Sequence, residues 1–517
     1  MVFLSTATRA LANENLTLYA RCYAHLTGKP LPLKHPLRPS LEGNAITGES
    51  ACLNLLDKAE LDENGKTQGD AESLAVLQQF FEFHRTWFNG PSFEKMQGYV
   101  AKRALATHDM YEPSEGALAL THVLFSKDPV ASRYEQTLKS SKGYFALREL
   151  DPSIKSYKTE THQLPTRRFY SGSMDYSTPE LLVKKDTQFI TGNYETSQVI
   201  TFQPLQTGQL VGIQPDTRQT LIPNYDPMIA WLASSNVYRA PVPMENALAT
   251  PGLQAGFNLF ASHGGGILGF NSLMLINWGH ESGRLNDGSL KMPRRWAQES
   301  LRAMLCKELP ALRANDVGQF VDTSNKPDVA DFRKSVGCVQ CHATMDQMAS
   351  VTRNLFVADT DYWFRGINPA TGKISKMGQL IGRAAPTMTP ISTWSSTPIK
   401  DFHRQTPTGR IFFRTFKGTL IDVPVTGVDG AGAALATTDD FYLCAAKRYF
   451  EHFTGIEVQL FDPGDPQNAN LQKSLTDEAH EHRAFIEKLA TDLKAQQSSR
   501  ALVKSILRSK YFKTGGS

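Results

Sequence analysis

The sequence predicts a mainly α, multi-region protein with a small β-containing middle segment. Apolar residues recur at helical spacing over about 70–98, 293–307, 437–454 and 475–511. Between 127 and 245 that pattern gives way to short alternating runs broken by Gly, Pro, Asn and Asp. At 517 residues the chain is too long for one compact core, which sets an expectation of two to four domains.

At the N-terminus, Val2-Phe3-Leu4 with Ala10-Leu11-Ala12 is similar to the tail of a secretory leader with a small-x-small cleavage site. Its apolar part is short and no basic stretch precedes it. Region 1–126 reads as helical, with Leu74, Leu77, Phe80, Phe81, His84, Trp87 and Phe88 on one helix face. On that apolar face His84 is expected to be a hydrogen-bonded core histidine, not a metal ligand. In the irregular region 127–245, Gln198–Gln203 and Gln209–Gln214 flank a Thr207-Gly208 turn and predict a hairpin.

Region 246–326 carries a Gly-rich turn and a basic helix. Gly264-Gly265-Gly266-Ile267-Leu268-Gly269 satisfies G-x-G-x-x-G, but Leu253–Ser262 before it reads as helix or loop. A dinucleotide-binding unit needs a strand there, so nucleotide binding is not expected. Region 327–395 surrounds the segment Cys338–His342. Region 396–517 combines short strands, Ile411–Phe416 and Thr419–Val425, with C-terminal helices. Arg21 to Gly28 echoes Arg448 to Gly455 at Arg, His, Thr and Gly. Both stretches read as helix ends stopped by a left-handed Gly, not as paired histidine sites.

Charge and motifs exclude several function classes. Lys and Arg total 55 against 51 Asp and Glu, a net +4, so no strongly basic nucleic-acid surface is expected. The most apolar stretch, Phe257 to Gly279, carries His263, Asn271 and Asn277 and three consecutive glycines, so no transmembrane segment is read there. No Walker A sequence, G-x-S-x-G elbow or H-E-x-x-H is present, and His480-Glu481-His482 has the wrong spacing for two ligands on one helix face.

The six cysteines are Cys22, Cys52, Cys306, Cys338, Cys341 and Cys444, and two of them lie in Cys338-Val339-Gln340-Cys341-His342. In a C-x-x-C-H the thiols are spaced to add across the two vinyl groups of a haem, and the histidine supplies the proximal nitrogen to iron. A redox pair or half a zinc site would share the C-x-x-C. Neither a second Cys/His pair at finger spacing nor a βαβ context accompanies it. The motif therefore points to one covalently attached haem c on Cys338 and Cys341, with His342 as proximal iron ligand, in a cytochrome-c-like helical part.

Four separated elements then occur in a recognisable order: Gly264–Leu268, a basic helix from Arg294 to Leu305-Cys306, Cys338–His342 with Met345-Asp346, and Phe441–Gly455. This order resembles the planctomycete-type cytochrome-c-domain proteins, large exported proteins of largely uncharacterised function. The similarity runs over about 179–512 and includes the closing helix from Leu502-Val503-Lys504-Ser505 to Phe512. It departs from that family where Met-Asp-Pro-Leu-Gly becomes Met345-Asp346-Gln347-Met348-Ala349. The resemblance implies a periplasmic or otherwise extracytoplasmic location, where such motifs receive haem.

The combined expectation is an exported monohaem cytochrome acting in electron transfer with a redox partner protein or a small-molecule donor or acceptor. Two other uses of the haem stay open: a haem-dependent oxidoreductase or peroxidase with an open sixth iron position, and a binding or scaffold protein with structural haem. Met388, in the Pro-flanked loop Ala385-Pro386-Thr387-Met388-Thr389-Pro390, is the foremost distal-ligand candidate, ahead of His403. Met345 and Met348 follow His342 too closely to reach the opposite haem face, and Met377 is a further separated methionine. In an oxidising compartment the remaining cysteines would pair as Cys22–Cys52 and Cys306–Cys444; four buried thiols are the alternative.

Overall fold

In a computed structural model of the chain, the described residues are 13–62, 67, 69–88, 115–146, 169–170, 188–191, 198–201, 257–261, 264–270, 273, 291–323, 331–352, 359–367, 374–383 and 406–514. Most of them are helical. Helix α1 (Glu14–Thr27) starts at Asn13, whose side chain accepts the Leu16 N–H, and stops at Gly28 with φ 67°. α2 (Arg38–Glu42) and α3 (Gly48–Lys58) follow, the latter capped by Thr47. α4 (Ala71–Arg85), capped by Asp70, runs into a 3-10 turn at Thr86–Phe88. The helix expected over 70–98 is thus present to residue 88, and 89–98 lie outside the described residues.

After α5 (Glu115–Phe125) and α6 (Gln136–Lys139), α7 (Lys291–Leu305) is the expected basic helix and α8 (Val336–Ala349) carries the C-x-x-C-H. Where the family pattern has Pro, Gln347 keeps its N–H and α8 runs on to Ala349. α9 (Gly427–Leu435), α10 (Asp439–Thr454) and α11 (Ala469–Ser474) lead to the C-terminal block. There the single expected stretch divides into α12 (Asp477–Gln496), α13 (Ser499–Arg508) and α14 (Lys510–Thr514). Gln497 adopts φ 56°, which ends α12, and Ser498 accepts the Ala501 N–H to start α13.

The strands are antiparallel. β1 (Lys142–Ala146) pairs with β5 (Phe257–Ala261). β2 (Phe169–Tyr170), β3 (Gln188–Thr191), β4 (Gln198–Thr201), β6 (Asp359–Ile367) and β7 (Ile374–Arg383) form a sheet in the order β2-β7-β6-β3-β4. β8 (Thr408–Arg414) and β9 (Leu420–Thr426) overlap the two short strands expected at Ile411–Phe416 and Thr419–Val425, and pair with each other as a hairpin. The strand expected at 198–203 is present as β4, which pairs with β3 before it in sequence, and the expected hairpin partner 209–214 lies outside the described residues. One expectation changes. The stretch 257–261, read as helix or loop, is a strand, paired antiparallel with β1 from Lys142 opposite Ala261 to Ala146 opposite Phe257.

Buried side chains from both ends of the chain join one core. Tyr19 and Leu26 of α1, Phe80 and Phe81 of α4, Leu120 of α5, Leu301 of α7, Tyr449 and Phe450 of α10 and Val503 of α13 all belong to it. His84 is fully buried and satisfied at both ring nitrogens, Nδ1 2.8 Å from Thr121 Oγ1 and Nε2 2.7 Å from the Tyr449 hydroxyl. The two echoed helix ends meet here: the rings of His25 and His452 are 6.4 Å apart edge-on, and His452 stacks on Phe83 at 4.1 Å. Gly28 and Gly455 stop the two helices at φ 67° and 71°. The echo is therefore a pair of helix ends packed together, with His25 and His452 half-buried at the contact. Burial lowers the pKa values of His25 and His84, and brings His452 to about 4 with help from neighbouring His25.

Two disulfides tie these helices together. Cys22–Cys52 joins α1 to α3 with Cα atoms 5.8 Å apart, and Cys306–Cys444 joins the end of α7 to α10 at 5.2 Å. Beside the second, Lys307 Nζ lies 3.0 Å from Asp440 Oδ2, both buried. Burial pulls the ammonium down and the carboxyl up, and their attraction opposes both shifts.

Thiol counting in denaturant without reductant should therefore find two reactive thiols in the haem-free chain, Cys338 and Cys341; six would refute the pairing. Replacing Cys22 and Cys52 together by Ser should lower stability by about 3–4 kcal/mol in the chain-entropy account. The buried histidines add an acid dependence. A histidine whose folded pKa lies below its unfolded value near 6.5 binds fewer protons when folded. Its contribution is thus intact above about pH 6.5 and is lost as pH falls toward 4, roughly 3 kcal/mol for His452. Unfolding free energy measured across that window should fall less steeply in His452→Gln; an unchanged slope would exclude His452 as its source.

Candidate functional site

α8 is seated by one face and exposes the other. Val339 and Ala343 pack with Leu312, Val317 and Phe412 of β8 in a small apolar cluster, and Met348 reaches the main core. Gln340 Nε2 donates to the Leu312 carbonyl at 3.0 Å. Gly409 of β8 permits the close approach, since a Cβ there would lie 2.2 Å from the Gln347 carbonyl oxygen. At 3.6 residues per turn, residues 338, 341, 342, 345 and 346 then share the opposite stripe. Cys338 is exposed, and Cys341, His342, Met345 and Asp346 are half-buried. Both thiols and the imidazole thus lie together on one accessible helix face.

A closed ring of contacts surrounds His342. Its Nδ1 lies 3.4 Å from both carboxylate oxygens of Asp346, one turn along α8. Arg294, near the start of α7, grips the same carboxylate with two N–H groups, Nε to Oδ1 at 2.5 Å and Nη2 to Oδ2 at 3.0 Å. Phe332 stacks on the imidazole at 4.3 Å, and the Arg294 guanidinium lies 5.6 Å from the centre of that phenyl ring. Asp346 faces Nδ1, which leaves Nε2 as the nitrogen for a metal.

Cys338 and Cys341 are free thiols, whereas the other four cysteines are in disulfides. Burial pushes the Cys341 thiol up, and the neighbouring Cys338 adds to the shift. Among the described residues no group of three or more His, Cys, Asp or Glu gathers at metal-binding distances. Free, accessible thiols one turn apart with an adjoining imidazole fit the attachment chemistry of haem c.

The other candidates distribute differently. Met348 is buried in the core, Met345 sits on the stripe beside His342, and Met377 lies on β7. Met388 and His403 lie outside the described residues. The Gly264–Gly266 turn is filled by the chain itself: a Cβ at Gly265 would lie 2.4 Å from the Val428 carbonyl oxygen, and one at Gly266 2.1 Å from that of Thr137. Although β5 precedes it, the turn leads into a 3-10 helix at Gly266–Gly269, not the α-helix of a phosphate-binding unit.

Sequence reasoning gave no role to three members of the ring, Asp346, Arg294 and Phe332. Asp346 could have been found from its i+4 spacing to His342 on a helix. Arg294 is 52 positions from Asp346, and Phe332 precedes the helix, so neither carried a local signal. Comparison of the chain with protein-family models, with characterised proteins and with solved structures gave no match.

Exposure and thiol acidity order the two cysteines. Iodoacetamide at neutral pH should alkylate Cys338 of the folded haem-free chain before Cys341, whose thiolate burial disfavours. Peptide mapping that finds Cys341 labelled first would contradict the geometry of the stripe.

Proposed function

We propose that the chain is an exported monohaem c-type cytochrome acting in electron transfer, with haem c thioether-linked to Cys338 and Cys341 and His342 as proximal iron ligand. The observation that carries this reading is the division of the six cysteines. Four are paired, and the two left as thiols lie one turn apart on an open helix face beside His342. When bound, the haem supplies a one-electron iron couple. The chain's own work is to hold it. Asp346 favours the tautomer with the proton on Nδ1, Phe332 and Arg294 fix the ring plane, and Nε2 keeps its lone pair for iron.

Two disulfides favour an oxidising compartment, the setting in which the family resemblance places haem attachment. Among the described residues no helix is long and apolar enough to cross a membrane. The ordered likeness to the planctomycete-type cytochrome-c-domain proteins supports the same assignment. Met388 is the proposed distal ligand, and the partner is a redox protein or a small-molecule donor or acceptor.

One observation favours a second reading. A carboxylate beside the proximal Nδ1 makes the ligand more basic, which suits a haem-dependent oxidoreductase or peroxidase with an open sixth position. Carbon monoxide separates the two: rapid binding to the reduced protein supports the enzyme, and a six-coordinate spectrum inert to it supports electron transfer.

Expressed in a host with haem-attachment machinery, the chain should retain its colour through acid-acetone extraction and gain the mass of one haem. Cys338→Ala with Cys341→Ala should lose covalent attachment entirely. Haem that extracts from the unmodified chain, or fails to form, refutes the reading. Met388→Ala should keep the haem but abolish the weak long-wavelength band of methionine-ligated ferric iron. Persistence of the band excludes Met388 as the ligand.

A further inference from the structure

The ring around His342 contains more than attachment requires. Thioether formation uses Cys338 and Cys341, and ligation uses Nε2 of His342; Asp346 and Arg294 would touch neither haem nor iron and act only through the imidazole. Their arrangement is nonetheless specific. Asp346 presents both oxygens to Nδ1 at equal distance, and both are gripped from the far side by one guanidinium. Arg294 also stands near the N-terminus of α7, where a cation opposes the helix dipole and the helix has no acidic residue in its own first turn. Asp346 supplies that missing anion from α8. The two charges therefore stabilise each other between helices while only one of them faces the imidazole.

We propose, resting on the haem reading above, that Asp346 and Arg294 are opposed positioning residues that set the reduction potential of the haem from its proximal side. Negative charge at Nδ1 strengthens Nε2 as a donor and stabilises ferric over ferrous iron, so Asp346 lowers the potential. The Arg294 guanidinium draws that charge away through its two hydrogen bonds, so it raises the potential again. Both side chains are about a quarter to a third exposed, so solvent moderates each effect. Arg294 acts only through the carboxylate, which gives the pair a signature that simple bracing of the helix would lack.

The test is spectroelectrochemical titration of the haem-loaded full chain in four forms: unmodified, Asp346→Asn, Arg294→Gln and the double variant. Asp346→Asn should raise the ratio of reduced to oxidised iron at fixed poise about tenfold, equivalent to about 59 mV for one electron. Arg294→Gln should lower that ratio severalfold, and the double variant should match Asp346→Asn. Shifts of the same sign in the two single variants, or potentials that do not move, overturn the proposal while leaving the cytochrome reading intact. If Asp346→Asn loads too little haem to titrate, Arg294→Gln decides by itself: a raised or unchanged potential overturns the proposal. An unmodified chain that carries no haem overturns both.

Discussion

The Cys306–Cys444 cross-link fixes the end of α7 against α10, and the position of Arg294 beside the C-x-x-C-H helix depends on that fixed end. Cys306 leaves the helix at φ 52°, an unusual conformation for a residue with a Cβ. Its neighbours reinforce the junction. Arg448 places Nε 3.3 Å from the Cys306 sulfur, donates from Nη2 to the Arg302 carbonyl at 3.0 Å, and covers the Trp87 ring at 4.7 Å. Burial pulls this guanidinium down to about 10, because the carbonyl and the π face replace only part of its hydration. Along α7, Trp296, Leu301 and Met304 are buried, and Trp296 donates its indole N–H to the Leu268 carbonyl at 2.9 Å. The helix is thus held along its length, and it carries Arg294 about 18 Å from the cross-link to the imidazole ring.

This arrangement joins the stable part of the molecule to the reactive part. The main core takes side chains from α1, α4, α5, α10 and α13, so the two ends of the sequence close around each other. His84 inside it is hydrogen-bonded between Thr121 and Tyr449, and burial lowers its pKa. His342 has the opposite setting. It lies on an accessible face, with a carboxylate at one nitrogen and an aromatic ring against its plane. The same residue type serves as core filler in one place and as a candidate ligand in the other, and exposure with partner charge separates the two roles.

The sequence was most informative where chemistry is local. The C-x-x-C-H is complete within five residues, and Asp346 is one turn further on the same helix. Helical spacing found α7, α8, α10 and the C-terminal block, and placed His84 in a core. The strand at 257–261 was not legible, because Phe257, Leu259 and Phe260 give no clean apolar-polar alternation and the pairing partner β1 lies more than a hundred residues earlier. The hairpin of β6 and β7 went unread although Tyr362, Trp363 and Phe364 are strong strand formers. At 198–201 the strand was legible, and its pairing with β3 was not, because the spacing of one strand does not say which other strands it meets.

By itself, then, the sequence determined the helical class, the reactive pentapeptide and the short list of cysteines able to pair. Those follow from spacing along one chain, where the rise and rotation per residue are fixed. Only the tertiary structure decided which thiols stay free, since disulfides depend on Cα atoms coming within about 6 Å. It also brought Arg294 to Asp346 and Phe332 to His342. Those contacts join residues on separate elements, and packing of α7, and of the 3-10 turn at Asp331–Lys334, against α8 sets their distances, not any interval in the sequence.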